Sequence, residues 1–325
     1  MYIDIFNGDA DGILSLIQLR KALPLASDNH KLITGVKRDI SLCKNVSSQD
    51  ANDAIVTVLD ISYDKNYQDI ERLLGYVSQI AYFDHHQADK LISNPKLKAH
   101  IDTSADTCTA LIVSNSLDKK YQLWAIAAAY GDNLHHIAEN EAGLLKLNSE
   151  QKAQLKELGI LINYNGYGSI IDDLYYHPAD LYHELIKYET PFDVIADKHS
   201  CFYKLRQGYE NDSKNLDSLD IQDFDELKLV KLPNQPWARR VSGTLGNDLS
   251  NKYRDKAIII ATTKDNGNYL ISLRAPKIKS FGAADICSEF ATGGGRESAA
   301  GVNDLPIEIL DIFIQKVSIS CIQKH

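Results

Sequence analysis

Over the first 133 residues, short β-branched or apolar runs alternate with longer stretches whose apolar positions recur every three or four residues. The runs Tyr2–Phe6, Leu32–Lys37, Ala54–Leu59, Ile80–Phe83 and Ala99–Asp102 predict strands, and Ile13–Leu23 and Lys65–Val77 predict helices between them. Strands separated by helices predict a parallel, doubly wound sheet. Residues 134–207 read as mostly helical; Ser149–Leu158 and Ala179–Tyr188 are the clearest pieces, punctuated by Pro178 and Pro191. Glu210–Glu226 carries seven acids and one lysine among few apolar residues, and reads as a linker. A second α/β pattern follows Leu227, with a helix at Ser242–Lys252 and strands at Ala257–Thr262 and Tyr269–Arg274. A helix near Ala283–Phe290 and a glycine-rich turn complete it. The expected organisation is an α/β domain over 1–207 with a helical elaboration at 134–207, an acidic linker at 208–226, and a smaller α/β domain at 227–325.

Composition narrows the class. With 44% hydrophobic and 24% charged residues the chain reads as a soluble globular protein of two ordinary domains. No apolar run approaches the ~20 residues that span a bilayer, and no signal pattern opens the chain. Five scattered cysteines without a C-x-x-C pair read as reduced thiols of a cytoplasmic protein. The net charge of −9 argues against a protein that coats long nucleic acid. It also hides a split: residues 228–296 hold twelve Lys/Arg against five Asp/Glu, so the remainder sits at −16. That suggests anion capture in one domain and chemistry in the other.

The candidate chemistry lies where apolar runs end. Asn7-Gly8-Asp9-Ala10-Asp11-Gly12 follows Tyr2–Phe6, Asp60 ends Ala54–Leu59, Asp84-His85-His86 ends Ile80–Phe83, and Gly131-Asp132-Asn133 follows Leu123–Tyr130. Three of these four fall at predicted strand C-termini, the edge where open α/β sheets bind ligands. Carboxylates and imidazoles gathered there suit a pair of hard or borderline divalent cations, and such a pair suits attack on phosphorus. Taken singly, Asp9, Asp60 and Asp132 are also ordinary capping or turn residues. Adjacent histidines behind a carboxylate are harder to explain without a ligand.

In this order the four motifs resemble those of the DHH phosphoesterase superfamily. Ser272-Leu273-Arg274 and Gly293-Gly294-Gly295-Arg296-Glu297-Ser298-Ala299-Ala300-Gly301 resemble the associated C-terminal substrate domain, whose signature is G-G-G-H-x-x-A-A-G. The superfamily includes nanoRNases, RecJ-type exonucleases and polyphosphate or pyrophosphate hydrolases. The resemblance implies an active site in the cleft between the two domains, holding two divalent cations, Mn²⁺ by preference or Mg²⁺. Asp60 would bridge them, Asp9 would belong to the first, and Asp11, His85 and Asp132 would complete the second. Asn7 is an additional candidate ligand, His86 would contact the scissile phosphate, and Asp84 would orient an imidazole. Arg274, Gly293, Gly294, Gly295 and Arg296 would bind substrate.

The chain departs from the pattern in two places. Many members have His four residues before the first motif Asp, where this chain has Ile5; exonuclease-type members run D-x-D-x-D-G, and the leading Asp is here Asn7. Asn offers a neutral carbonyl, a weaker ligand than carboxylate, so the first cation position is weakened. His135-His136, one turn past Asp132, could compensate, although a surface or core role is the commoner one. Arg296 replaces the signature His and keeps its charge at every relevant pH.

The expected function is therefore hydrolysis of a phosphodiester or phosphomonoester in a short oligonucleotide or linear dinucleotide by a metal-held hydroxide. Trp237, Tyr253, Tyr269 and Phe281 could stack bases, though each is more often core. Rivals are a polyphosphate or anhydride hydrolase, a RecJ-type exonuclease, and a non-catalytic nucleotide-binding protein. Short nucleic acid or polyphosphate is the partner class, no membrane is involved, and a homodimer is compatible with the sequence.

Overall fold

The computed structural model describes residues 1–25, 29–278 and 282–323, which form two compact units, Met1–Gly208 and Tyr209–His325. In the first, a five-stranded sheet runs in the order β2-β1-β3-β4-β5, built from β1 (Tyr2–Phe6), β2 (His30–Ile33), β3 (Ile55–Leu59), β4 (Gln79–Asp84) and β5 (Leu97–Ile101). Every pairing is parallel. The central strands β1, β3 and β4 are largely buried, while the edge strands β2 and β5 are partly exposed, and each parallel pairing requires a crossover connection. Helices α1 (Ala10–Ala22), α2 (Ser48–Ala51) and α3 (Tyr63–Leu74) lie between strands. Ile3, Ile5, Val56, Val58, Ile80 and Tyr82 form one apolar face, closed by Ile70 and Leu73 of α3.

The opposite face carries a buried polar element. Asp4, in the middle of β1, takes a bidentate contact from Arg20 of α1, with Nε 2.7 Å from Oδ2, and His30 Nε2 lies 2.7 Å from the same oxygen. The charge is tolerated there because both carboxylate oxygens are paired. Beyond β5 the unit is helical: α4 (Thr109–Ser116), α5 (Gln122–Gly131), α6 (His135–Leu144), α7 (Ser149–Gly166), α8 (Pro178–Leu185), α9 (Pro191–Ala196) and the start of α10 (Cys201–Ser213). Helices α5 and α7 approach closely: a Cβ on Gly159 would lie 1.9 Å from the Ala127 carbonyl oxygen.

The second unit has a six-stranded mixed sheet in the order β10-β11-β9-β8-β7-β6. Its elements are β6 (Ile221–Asp223), β7 (Leu227–Leu232), α11 (Pro236–Lys252), β8 (Ala257–Thr263), β9 (Tyr269–Arg274), α12 (Ala283–Ser288), β10 (Gly293–Gly295), β11 (Ala299–Leu305) and α13 (Leu310–Gln323). Among these strands only β7 and β8 pair in parallel. Alternate residues of β8 face two cores: Ala257, Ile259 and Ala261 one way, Ile258 and Ile260 the other.

Three expectations are corrected. The acidic segment 208–226 is not a linker: α10 continues through Ser213, and Ile221–Asp223 is an edge strand of the second sheet. Two of its acids are counter-charges for that unit's bases, Asp212 to Arg240 at 2.7 Å and Asp223 to Lys228 at 2.6 Å and Lys256 at 2.7 Å. The predicted strand Leu32–Lys37 stops at Ile33, so Lys37 lies in the following loop. The triple glycine is a strand rather than a turn; Arg296–Ala299 makes the hairpin turn through the Arg296 N–H donating to the Ala299 carbonyl at 2.8 Å. Among the described residues, no helix is long and apolar enough to cross a membrane.

Candidate metal centre

The register of the first sheet brings three motifs to one level. Phe6 pairs with Leu59 and Leu59 with Phe83, so β1, β3 and β4 release their chains side by side. The Asn7 N–H still donates to the Leu59 carbonyl at 3.1 Å, and that of Asp60 to Phe83 at 3.0 Å. Asp60 then turns the chain sharply at φ 58, a left-handed conformation that costs a non-glycine residue about 1–3 kcal/mol. In the order 2-1-3-4-5 the boundary of β1 and β3 is the switch point at which such sheets hold ligands.

Asp11, Asp60, His85 and His86 form one half of the centre. Both oxygens of Asp11 accept from amides opening α4, Thr109 at 2.8 Å and Ala110 at 2.7 Å, while the Thr109 hydroxyl donates to Asp60 Oδ1 at 3.0 Å. His85 Nε2 lies 3.4 Å from Asp60 Oδ1 and 3.7 Å from Asp11 Oδ2. Its Nδ1 is 3.0 Å from the Thr107 carbonyl oxygen, which only accepts, so Nδ1 carries the proton. In the neutral imidazole Nε2 then presents a lone pair to the carboxylates, the arrangement of a metal-ligating imidazole with its outer hydrogen bond in place. Asp84 Oδ1 accepts from the His85 amide at 2.9 Å and holds His86 Nδ1 at 2.6 Å. Donor atoms of Asp60, His85 and His86 all lie within 4.8 Å of one another.

Lys37 occupies the other half. Its ammonium forms a close ion pair with Asp9 and lies 3.6 Å from Asp132 Oδ1 and 3.2 Å from Asn163 Oδ1. Burial pushes this lysine down, but Asp9, Tyr167 and Asp132 outweigh burial and hold it well above the ordinary value. Asp9 also caps α1 through the Gly12 amide at 3.1 Å.

The first half is short of positive charge. Burial, then Asp11 and Asp9, push the Asp60 carboxyl well above its usual range, against the opposing pull of His86. Asp84 Oδ2 and Asn7 Oδ1 are buried acceptors with no donor among the described residues. Hard oxygens plus a deprotonated imidazole nitrogen, buried together, fit a divalent cation.

In the second unit, Arg274 reaches Asn247 Oδ1 at 2.9 Å and Ser272 Oγ at 2.8 Å. Gly293 and Gly295 serve close backbone approach: a Cβ would fall 1.6 Å from the Cys287 carbonyl oxygen and 2.4 Å from Ala300 Cα. Tyr269 is buried in the core, Trp237 and Tyr253 pack against the α11 face, and Phe281 lies outside the described residues.

Residues 228–317 match the DHHA1 domain family. That match lies within the second compact unit and runs from β7 into α13. Solved structures of this fold align over nearly the whole chain. A DHH-domain protein described as belonging to a family of ribosomal proteins gives a TM-score of 0.64 at 14% identity, over 99% of this chain and 87% of its own. The exonuclease RecJ bound to manganese gives 0.56 at 13% identity, over 99% and 90%. The pGpG-specific phosphodiesterase PggH from Vibrio cholerae gives 0.55 at 12% identity, over 100% of both chains. At these identities the likeness is one of fold. No curated protein sequence matches the chain.

Within the first unit the sequence-predicted residues divide. Asp11, Asp60, Asp84, His85 and His86 come together in one half, and Asp9 and Asp132 meet Lys37 in the other. His135 and His136 pack elsewhere, against Tyr130 and Asn140. Sequence reasoning missed Lys37, Thr107, Thr109 and Asn163. Thr and Asn carry no signal of their own, and Lys37 offered only its place at the end of an apolar run.

Proposed function

We propose that this protein is a DHH-family, divalent-cation-dependent phosphoesterase acting on short oligonucleotides or linear dinucleotides. The observation that carries the reading is the set Asp11, Asp60 and His85, with His85 Nδ1 held by the Thr107 carbonyl and Nε2 turned toward both carboxylates. A divalent cation, with Mn²⁺ preferred, supplies there the activation of water and neutralisation of charge on phosphorus. Asp60 and Asp11 hold the cation, and the α4 amides and the Thr109 hydroxyl fix their carboxylates in advance. His86 Nδ1–H donates to Asp84 Oδ1, leaving Nε2 as the atom that meets the scissile phosphate; the His86 side chain is 25% exposed, against 3% for His85. Arg274 and Arg296 of the DHHA1 unit are the phosphate-binding guanidiniums in this reading.

Two observations favour a short nucleotide substrate. PggH, a phosphodiesterase specific for pGpG, matches this chain end to end. Lys228, Arg240, Lys256 and Lys264 of the second unit are paired with acids of the same unit, which favours a short substrate over a long basic track. A cytoplasmic setting belongs to the same reading, with all five thiols buried and unbridged.

The test is chromatography of products after incubation with a 5′-phosphorylated dinucleotide and, separately, polyphosphate, each with Mn²⁺ or chelator. Mononucleotide released only with metal, and not by Asp60→Ala, is the expected result. Phosphate from polyphosphate alone would move the activity to anhydride hydrolysis. Nucleotide binding with no turnover of either substrate would make this a binding protein.

A further inference from the structure

One half of the centre carries a cation built into the chain. Three oxygens from three elements converge on Lys37 Nζ: Asp9 after β1, Asp132 at the end of α5 at 3.6 Å, and Asn163 of α7 at 3.2 Å. Two of these oxygens, on Asp9 and Asn163, accept hydrogen bonds from the ammonium, and Asp132 completes the surroundings as an ion pair. The Tyr167 ring lies 5.3 Å from Nζ, within reach of a cation–π contact. The side chain is 21% exposed and that of its partner Asp9 only 3%.

The loop carrying Lys37 is packed backbone to backbone against the motif. The Lys37 amide donates to the Gly166 carbonyl at 2.9 Å, and its carbonyl accepts from Asn7 Nδ2 at 3.2 Å. A Cβ on Gly8 would lie 1.9 Å from the Gly35 carbonyl oxygen, and one on Gly166 would lie 3.1 Å from Asp9 Cα. Without the ammonium, Asp9 and Asp132 are the carboxylates this half offers to a metal ion. Ile5 has no ligand atom and is fully buried in the apolar face, and Asn7 is neutral. A carboxylate at position 7 would add one negative charge, and a divalent ion in place of the ammonium would add one positive charge. The two departures from a dinuclear pattern thus offset each other.

We propose that Lys37 is a resident cation of this centre, so that the chain binds one divalent ion, at Asp11, Asp60 and His85, rather than two. This rests on the phosphoesterase reading and differs from the pair of cations implied by motif resemblance. The ammonium neutralises Asp9 and Asp132 as a fixed charge. Its lone pair is committed to N–H bonds, so it cannot hold a water as a metal does; water activation falls to the single ion.

Metal stoichiometry tests this apart from activity. The full-length protein, stripped with chelator, is titrated with Mn²⁺ by calorimetry and followed by electron paramagnetic resonance. One Mn²⁺ per chain, with the spectrum of an isolated ion, is expected for the wild type. Lys37→Ala and the size-conserving Lys37→Gln should each bind two, with spin coupling between neighbouring ions, and His85→Ala should bind none. Circular dichroism shows which Lys37 variant is folded, and either one suffices. Two ions in the wild type, or a single ion in a folded Lys37 variant, would overturn the resident cation while leaving the phosphoesterase reading intact. No ion in the wild type would overturn both.

Discussion

Thr109→Val is the sharpest probe of how the centre is held. Thr109 is fully buried; its amide donates to Asp11 at 2.8 Å and its hydroxyl to Asp60 Oδ1 at 3.0 Å. Valine keeps the volume, the β-branch and the amide contact, so the substitution isolates the hydroxyl. A hydrogen bond to a charged acceptor contributes about 1.5–3 kcal/mol. For a unit of 150–250 residues each kcal/mol moves the melting temperature by about 2–4 °C, so the metal-free variant should melt roughly 3–12 °C lower. Two effects on metal affinity oppose each other. Losing the donor makes Asp60 more basic and tightens binding, while losing its fixed orientation weakens binding. Outer hydrogen bonds of metal ligands are typically worth about 10–100-fold in affinity, so orientation should win. Calorimetric titration with Mn²⁺ should therefore show a dissociation constant at least tenfold higher than wild type. An unchanged or lower constant in a folded variant would refute the argument that α4 pre-sets the carboxylates.

Three other outcomes are expected. Asp4→Asn leaves Arg20 buried without its carboxylate and should cost about 3–5 kcal/mol by denaturant titration at pH 7. Burial raises the Asp4 carboxyl, but His30 and Arg20 overcome this and hold it below the ordinary value. A carboxyl lowered on folding contributes fully above its unfolded value, about 3.9, and loses the contribution as pH falls through the folded one; the penalty should shrink below about pH 4, and equal penalties at pH 3 and pH 7 would exclude an ion-pair origin. Gly159→Ala forces a Cβ against the Ala127 carbonyl where α5 and α7 touch, so it should destabilise by about 1–3 kcal/mol, and a melting point within 1 °C of wild type would contradict the close approach. Limited proteolysis with a Glu- and Asp-directed protease should spare 210–223 in the native protein and cut there faster in Asp212→Asn, which unpairs Arg240; rapid native cleavage would restore the linker reading.

Periodicity alone determined the architecture of the first unit. Tyr2–Phe6 is a strand as predicted, and the other four predicted strands overlap observed ones. A parallel sheet buried on both faces demands continuous apolar runs, and that demand is visible in one dimension. The same runs located Asp60 and Asp84 at strand ends, because an apolar run ends where the chain leaves the core. The second unit's β9 was equally legible, at Tyr269–Arg274. Misread segments share one cause, which is that a charge reveals nothing of its partner. Asp212 and Asp223 look solvated until Arg240, Lys228 and Lys256 are seen beside them. Lys37 looks like a strand-end lysine until folding brings it to Asp9, 28 residues away, and to Asn163, 126 residues away. Thr109 lies 98 residues from Asp11 and 49 from Asp60. Which residues surround a cation is decided by contacts between distant segments, so residue types and their order along the chain were legible in the sequence, while the division of the centre into a metal half and a lysine half arose only in the tertiary structure.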